Sequence, residues 1–132
     1  MAERPTPLKG RGGRFLGSLG YACRGVRILL ASEANARIHA VATILVVGAG
    51  WYWGISRGEW LAVLLGVGLV WLGEGMNSAI EAVVDLVSPG EHPLAGRAKD
   101  LAAGAVLCAA VVAGAIGVVV FWGRVGGLLG WW

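Results

Sequence analysis

The stretch WLAVLLGVGLVWLGEGMNSAIEAVVDLV, residues 60–87, decides how the rest of the chain is read. Its first half, through Leu72, is apolar and carries no ionisable residue. Its second half holds Glu74, Asn77, Glu81 and Asp85 at spacings of three, four and four. On a helix these fall at roughly 0°, 300°, 340° and 20°, which is one polar stripe. At ~1.5 Å per residue Glu74 lies ~21 Å from Trp60, inside the far leaflet of a bilayer rather than in water. An ionisable group at that depth is a functional hypothesis by default. Glu81 is ~10 Å further along, near or beyond the headgroups, and Asp85 is further out still.

The remainder of the chain agrees with a membrane setting. It has 132 residues, enough for one domain, and is 57% hydrophobic with a mean hydropathy of +0.71, too apolar for a water-soluble domain of this size. Its 23 glycines favour close helix packing in lipid. The net charge of +3 does not indicate nucleic acid, because seven of the eleven Lys and Arg lie between Arg4 and Arg37. Cations gathered beside a membrane span mark the cytoplasmic side. Cys23 and Cys108 are not expected to pair, and no CxxC or Cys/His cluster proposes zinc. The first sixteen residues are polar and glycine-rich, so a cleaved signal peptide is not expected.

Working outward, residues 1–13 read as a disordered basic lead whose KGRGG run lacks the GK[ST] ending of a phosphate-binding loop. Residues 14–36 read as an amphipathic surface helix. Phe15, Leu19, Ala22, Val26, Leu29 and Leu30 share one face, with Arg24 and Arg27 opposite. Glu33 falls at the centre of the apolar face. Either it has a partner there, or the helix frays before it and leaves it in water. The spans are expected at 38–55, 60–87 and 100–122, with a turn at 54–59 and a break at Pro89, Gly90 and Pro93. Arg37 and His39 would sit at the headgroups. Residues 125–132 form a short tail. The fold class is therefore all-α, an N-terminal surface helix plus three transmembrane helices. Two signals orient it. The basic N-terminus and the loop bearing Arg97 and Lys99 share one side, while Trp51, Tyr52, Trp53, Trp60, Phe121 and Trp122 gather at the other as an aromatic belt.

Aligned carboxylates repel one another unless cations lie between them, and oxygen ligands suit a hard cation such as Mg²⁺ that also holds phosphates. The plainer alternative makes Glu81 and Asp85 a solvated helix end and Glu74 a protonated packing residue. Arg97 and Lys99 arrive at the same interface, either as positive-inside anchors or as phosphate ligands. His92, before a proline in a turn, reads as structural.

The run EGMNSAIEAVVD (residues 74–85), followed by HPLAGRAKDLAAGAVL (92–107), closely resembles the small prokaryotic diacylglycerol kinase and undecaprenol kinase family. SEANARIHA (32–40) and the approach from Arg14 through Tyr21 fit it too. The resemblance implies a homotrimeric kinase of the bacterial inner membrane that moves the γ-phosphate of ATP to a lipid alcohol. It implies Glu74 as general base and Asn77 as an orienting group. Glu33 and Glu81 would hold Mg²⁺, while Asp85, Lys99 and Asp100 would contact nucleotide, with Arg14 and Tyr21 closing the site. Ala22 and Ala103 stand where members acting on diacylglycerol tend to carry serines, and the flanking segments look more like the undecaprenol branch. Undecaprenol is therefore the expected lipid and diacylglycerol the alternative. Trp71 and Gly73 depart from the family pattern without an evident tie to substrate. A small oligomeric cation or proton conductor is the reading from another class, opposed by the ion-free run from Leu61 to Leu72.

Overall fold

The computed structural model describes the backbone of residues 11–130 and the side chains of residues 16–130. Four helices follow in order: α1 Arg11–Ser32, α2 Ala34–Trp53, α3 Arg57–Val87 and α4 Pro93–Leu128. They divide into two compact units, the first ending at Glu33 and the second beginning at Ala34.

In the first unit α1 begins at Arg11, earlier than the expected start at residue 14; residues 1–10 of the expected lead lie outside the described residues. It stops at Ser32 instead of running to residue 36. The Ser32 hydroxyl lies 3.0 Å from the Ile28 carbonyl and 3.1 Å from Glu33 Oε1. Such local side-chain hydrogen bonding competes with the helix and bends or ends it. Of the expected apolar stripe, Leu19 and Val26 are exposed while Leu29 is buried; Leu16 and Ile28 also face outward.

The second unit is a three-helix bundle in which α3 packs chiefly along α4 and less extensively on α2. Helices α3 and α4 are each long and apolar enough to cross a membrane, whereas α2 qualifies only when taken together with α1. Residues 34–36, expected in the surface helix, belong to the first turn of α2. Its C-terminus closes on Gly54 at φ +58°, a left-handed position that costs glycine nothing. Here α3 starts at Arg57, inside the expected turn, because Ser56 and Glu59 form a capping box. The α3–α4 connection is short for a similar reason. His92 caps α4, its Nδ1 accepting from the Leu94 amide at 3.2 Å, and Pro93 opens the helix. Most of the expected loop at 90–100 is thus helical, as are residues 125–128 of the expected tail.

The packed core lies toward one end of this unit, where Ile55, Val63 and Val120 are buried among Val46, Trp53, Trp60, Val67, Ile116 and Phe121. Edge contacts between Trp51 and Trp60 and a tilted pair of Trp53 and Phe121 extend it. Midway, Gly66 brings α4 close. A Cβ there would lie 3.3 Å from the Ala113 Cα and 3.2 Å from Ile116 Cδ1. Arg124 then ties the end of α4 to α3, its two terminal nitrogens 2.8 and 3.0 Å from the two Glu59 oxygens. The polar stripe occupies the opposite half of α3.

Candidate functional site

Three polar pairings descend the second half of α3. The innermost centres on Glu74, whose exposure is 2%. His39 of α2 places Nε2 3.2 Å from Glu74 Oε1, yet no hydrogen bond reaches that oxygen among the described residues. The two atoms are close without meeting hydrogen-bond geometry. Next, Asn77 Nδ2 donates to Glu81 Oε1 at 2.9 Å. Outermost, Lys99 of α4 donates to Asp85 Oδ1 at 2.6 Å. Asp85 and Lys99 also line an open hollow of about 660 Å³ at the α3–α4 turn, beside Ser88, Glu91 and His92.

The stripe is under-satisfied. Glu74 Oε1, Asn77 Oδ1 and Ser78 Oγ are all buried without a hydrogen-bond partner. Buried polar atoms are nearly always paired, so a cluster of orphans within about one turn is a candidate ligand site. The residues differ in what they offer. Glu74 can accept a proton, Asn77 and Glu81 present oxygens to a cation, and Lys99 presents a cation to an anion.

His39 and Ser78 belong to this site although the sequence reading gives neither a role there. The sequence reading places His39 at the headgroups; its Nε2 stands beside Glu74, with the side chain 21% exposed. Ser78 lies roughly 40° from Glu74 by the same helical reckoning that aligned the carboxylates, so the stripe itself points to it. Trp71, one turn before Glu74, donates from Nε1 to Thr43 Oγ1 of α2 at 3.1 Å.

Other expected site residues are separate from these pairings. Asp100 is exposed, and no hydrogen bond or ion pair joins it to the stripe. Ala103 is exposed on α4 and Arg97 near its start. Tyr21, Ala22 and Glu33 belong to the first unit, where Tyr21 and Ala22 are exposed and Glu33 half-buried. The Arg14 side chain lies outside the described residues. Among the described residues no three metal-ligating side chains gather at one point.

Between α2, α3 and α4 runs a cavity of about 290 Å³ lined by Val63, Val67, Val70, Ala113 and Ile116, with His39 and Thr43 among its few polar residues. Ionisable groups and a narrow apolar hollow therefore share α2 and α3, an arrangement suited to a ligand with a reactive polar head and a hydrocarbon body.

Known proteins resemble this chain in sequence. The sequence profile of the prokaryotic diacylglycerol kinases matches residues 20–121. An undecaprenol kinase of Bacillus subtilis (strain 168) is 40% identical over 108 residues, covering 82% of this chain and 88% of that protein. A diacylglycerol kinase of Escherichia coli (strain K12) is 35% identical over 113 residues, covering 86% and 93%. A diacylglycerol kinase of Synechocystis sp. (strain ATCC 27184 / PCC 6803 / Kazusa) is 40% identical over 104 residues, covering 78% and 59%. With matches of this extent lying across the helices that carry the stripe, the chain belongs to the prokaryotic diacylglycerol kinase family of integral-membrane lipid kinases.

Proposed function

We propose that the protein transfers the γ-phosphate of ATP to undecaprenol at the cytoplasmic face of the bacterial inner membrane, as a homotrimer. The observation that carries the site is the burial of Glu74 with Oε1 unbonded. A carboxylate kept from water and short of donors is a ready acceptor for the proton of a lipid hydroxyl. Phosphoryl transfer asks mainly for positioning and charge neutralisation. Lys99 on the open hollow would neutralise phosphate oxygens, with Asp85 holding its ammonium in place and Asp100, Arg14 and Tyr21 completing the nucleotide contacts.

The donor set fits Mg²⁺. Glu81 offers carboxylate oxygen and Asn77 Oδ1 is a buried carbonyl oxygen in want of a partner, both hard ligands. Magnesium is ordinarily held by one or two carboxylates plus substrate phosphates rather than by a protein cage, in keeping with the absence of a three-ligand cluster among the described residues. Glu33 and Glu81 are the proposed holders. When bound, the ion would neutralise charge on the ATP phosphates.

The choice of lipid is supported by an aliphatic cavity and by two alanines elsewhere in the chain. The cavity beside His39 is mostly aliphatic, and Ala22 and Ala103 offer no hydroxyl to a glycerol headgroup. A polyprenol has one hydroxyl and no ester carbonyls to satisfy. Diacylglycerol carbonyls left unpaired in such a site would cost about 1–3 kcal/mol each. The test is a MgATP-dependent phosphorylation assay on purified protein with a panel of lipid alcohols in one bilayer. A higher kcat/KM for undecaprenol than for diacylglycerol is expected, and Ala22→Ser with Ala103→Ser should move the ratio toward diacylglycerol. An outright preference for diacylglycerol would reverse the substrate assignment and keep the kinase; no phosphorylation of any lipid alcohol would remove both.

A further inference from the structure

A base that is 2% exposed has a problem after it has worked: the proton it has taken must leave before the next turnover. Glu74 is enclosed by the bundle, whereas His39, its Nε2 3.2 Å from Glu74 Oε1, keeps 21% of its side chain at the surface of the bundle.

The pair is held in place by a second contact one turn away. The Thr43 hydroxyl donates to the His39 carbonyl at 2.7 Å and accepts from the Trp71 indole N–H at 3.1 Å. His39 and Thr43 are four residues apart on α2, and Trp71 and Glu74 are three apart on α3. Each pair lies on one face of its helix, so the indole–hydroxyl bond sets the register that brings imidazole to carboxylate. The tryptophan that departs from the family pattern thereby acquires a purpose.

We propose that His39 is the proton relay of Glu74, and that Thr43 and Trp71 position it. The proposal rests on the reading of Glu74 as the base for a lipid alcohol. As the lipid oxygen bonds to the γ-phosphorus and the bond to ADP breaks, the hydroxyl proton passes to the Glu74 carboxylate. Glu74 hands that proton to the unprotonated Nε2 of neutral His39, and the imidazolium so formed releases its Nδ1 proton to water. Proton exchange with water between the two ring nitrogens then restores the starting tautomer. One proton leaves per phosphate transferred, and neither side chain is changed.

The test uses the purified full-length protein in a bilayer at saturating MgATP, with two readouts. In the kinetic one, His39→Gln is expected to lower kcat about a hundredfold with both KM values within about threefold. Millimolar imidazole should restore much of the rate in His39→Ala. Thr43→Val and Trp71→Phe should lose several-fold in kcat, and imidazole should not repair them. The second readout needs no turnover. The chain has 2 histidines, so ¹⁵N-histidine labelling gives two sets of imidazole signals, assigned by His39→Gln or, if that variant does not fold, by His92→Asn. Glu74→Gln should move the His39 signal and spare that of His92. Wild-type kcat in His39→Gln overturns the relay, and so does a His39 signal indifferent to Glu74→Gln. Wild-type protein that phosphorylates no lipid alcohol would instead refute the proposed activity, with the spectrum still reporting whether the pair exists.

Discussion

Burying Glu74 is costly, since an isolated charge inside a protein or bilayer loses several kcal/mol of hydration, and one imidazole contact is what the chain sets against that loss. Its own variant should show what the burial is for. Glu74→Gln keeps the shape and removes the proton acceptor, so folding and MgATP binding are expected to survive while turnover falls ~10²–10⁴-fold. Wild-type turnover in that variant would disprove the base assignment. Glu81→Gln and Glu33→Gln should behave differently. Each removes a proposed hard ligand, so the Mg²⁺ concentration for half-maximal rate should rise, with activity partly regained at high Mg²⁺. A Glu81→Gln enzyme whose Mg²⁺ titration overlays that of the parent would take the metal away from the stripe.

Among the elements, α3 depends on its two ends and its middle for different reasons. At its start Ser56 accepts from the Glu59 amide at 3.3 Å. Ser56→Ala should cost about 0.5–2 kcal/mol, as for other lost caps, read as a lower midpoint in denaturant. In the middle, a methyl group on Gly66 would press on the α4 backbone at Ala113, whereas Gly68 faces open space. Gly66→Ala is therefore expected to destabilise by about 1–3 kcal/mol and Gly68→Ala to be neutral or mildly stabilising. Equal damage at both positions would mean that the Gly68 face is covered by a further copy. The carboxylate stripe was legible in the sequence because it needs only the 3.6-residue repeat of a single helix. His39 against Glu74 and Arg124 against Glu59 were not, because each depends on how far one helix slides along another, and that register is set by packed side chains. The stop at Ser32 escaped for a smaller reason: neither Gly nor Pro marks it, only a hydroxyl that turns back on its own backbone.

For the whole molecule, the basic N-terminal third and the aromatic end of the bundle argue for one orientation in the membrane, with residues 90–100 inside and Arg57 outside. With Cys23 and Cys108 replaced, an impermeant thiol reagent applied to intact cells should label a cysteine at position 57 and spare one at position 95. The opposite pattern would invert the protein and part it from cytoplasmic ATP. The paired ends of α3 and α4 carry a further consequence. Arg124 grips Glu59 with two bonds at the end remote from the carboxylates, and Gly66 lets the backbones touch midway. At the other end the short turn from residue 88 to residue 92 joins the two helices through the chain itself, and Lys99 bonds to Asp85. The pair is thus tied at both ends. A phosphate that drew Lys99 away from Asp85 would leave covalent chain still holding the helices together, so taking up nucleotide would not need to loosen the far side of the membrane.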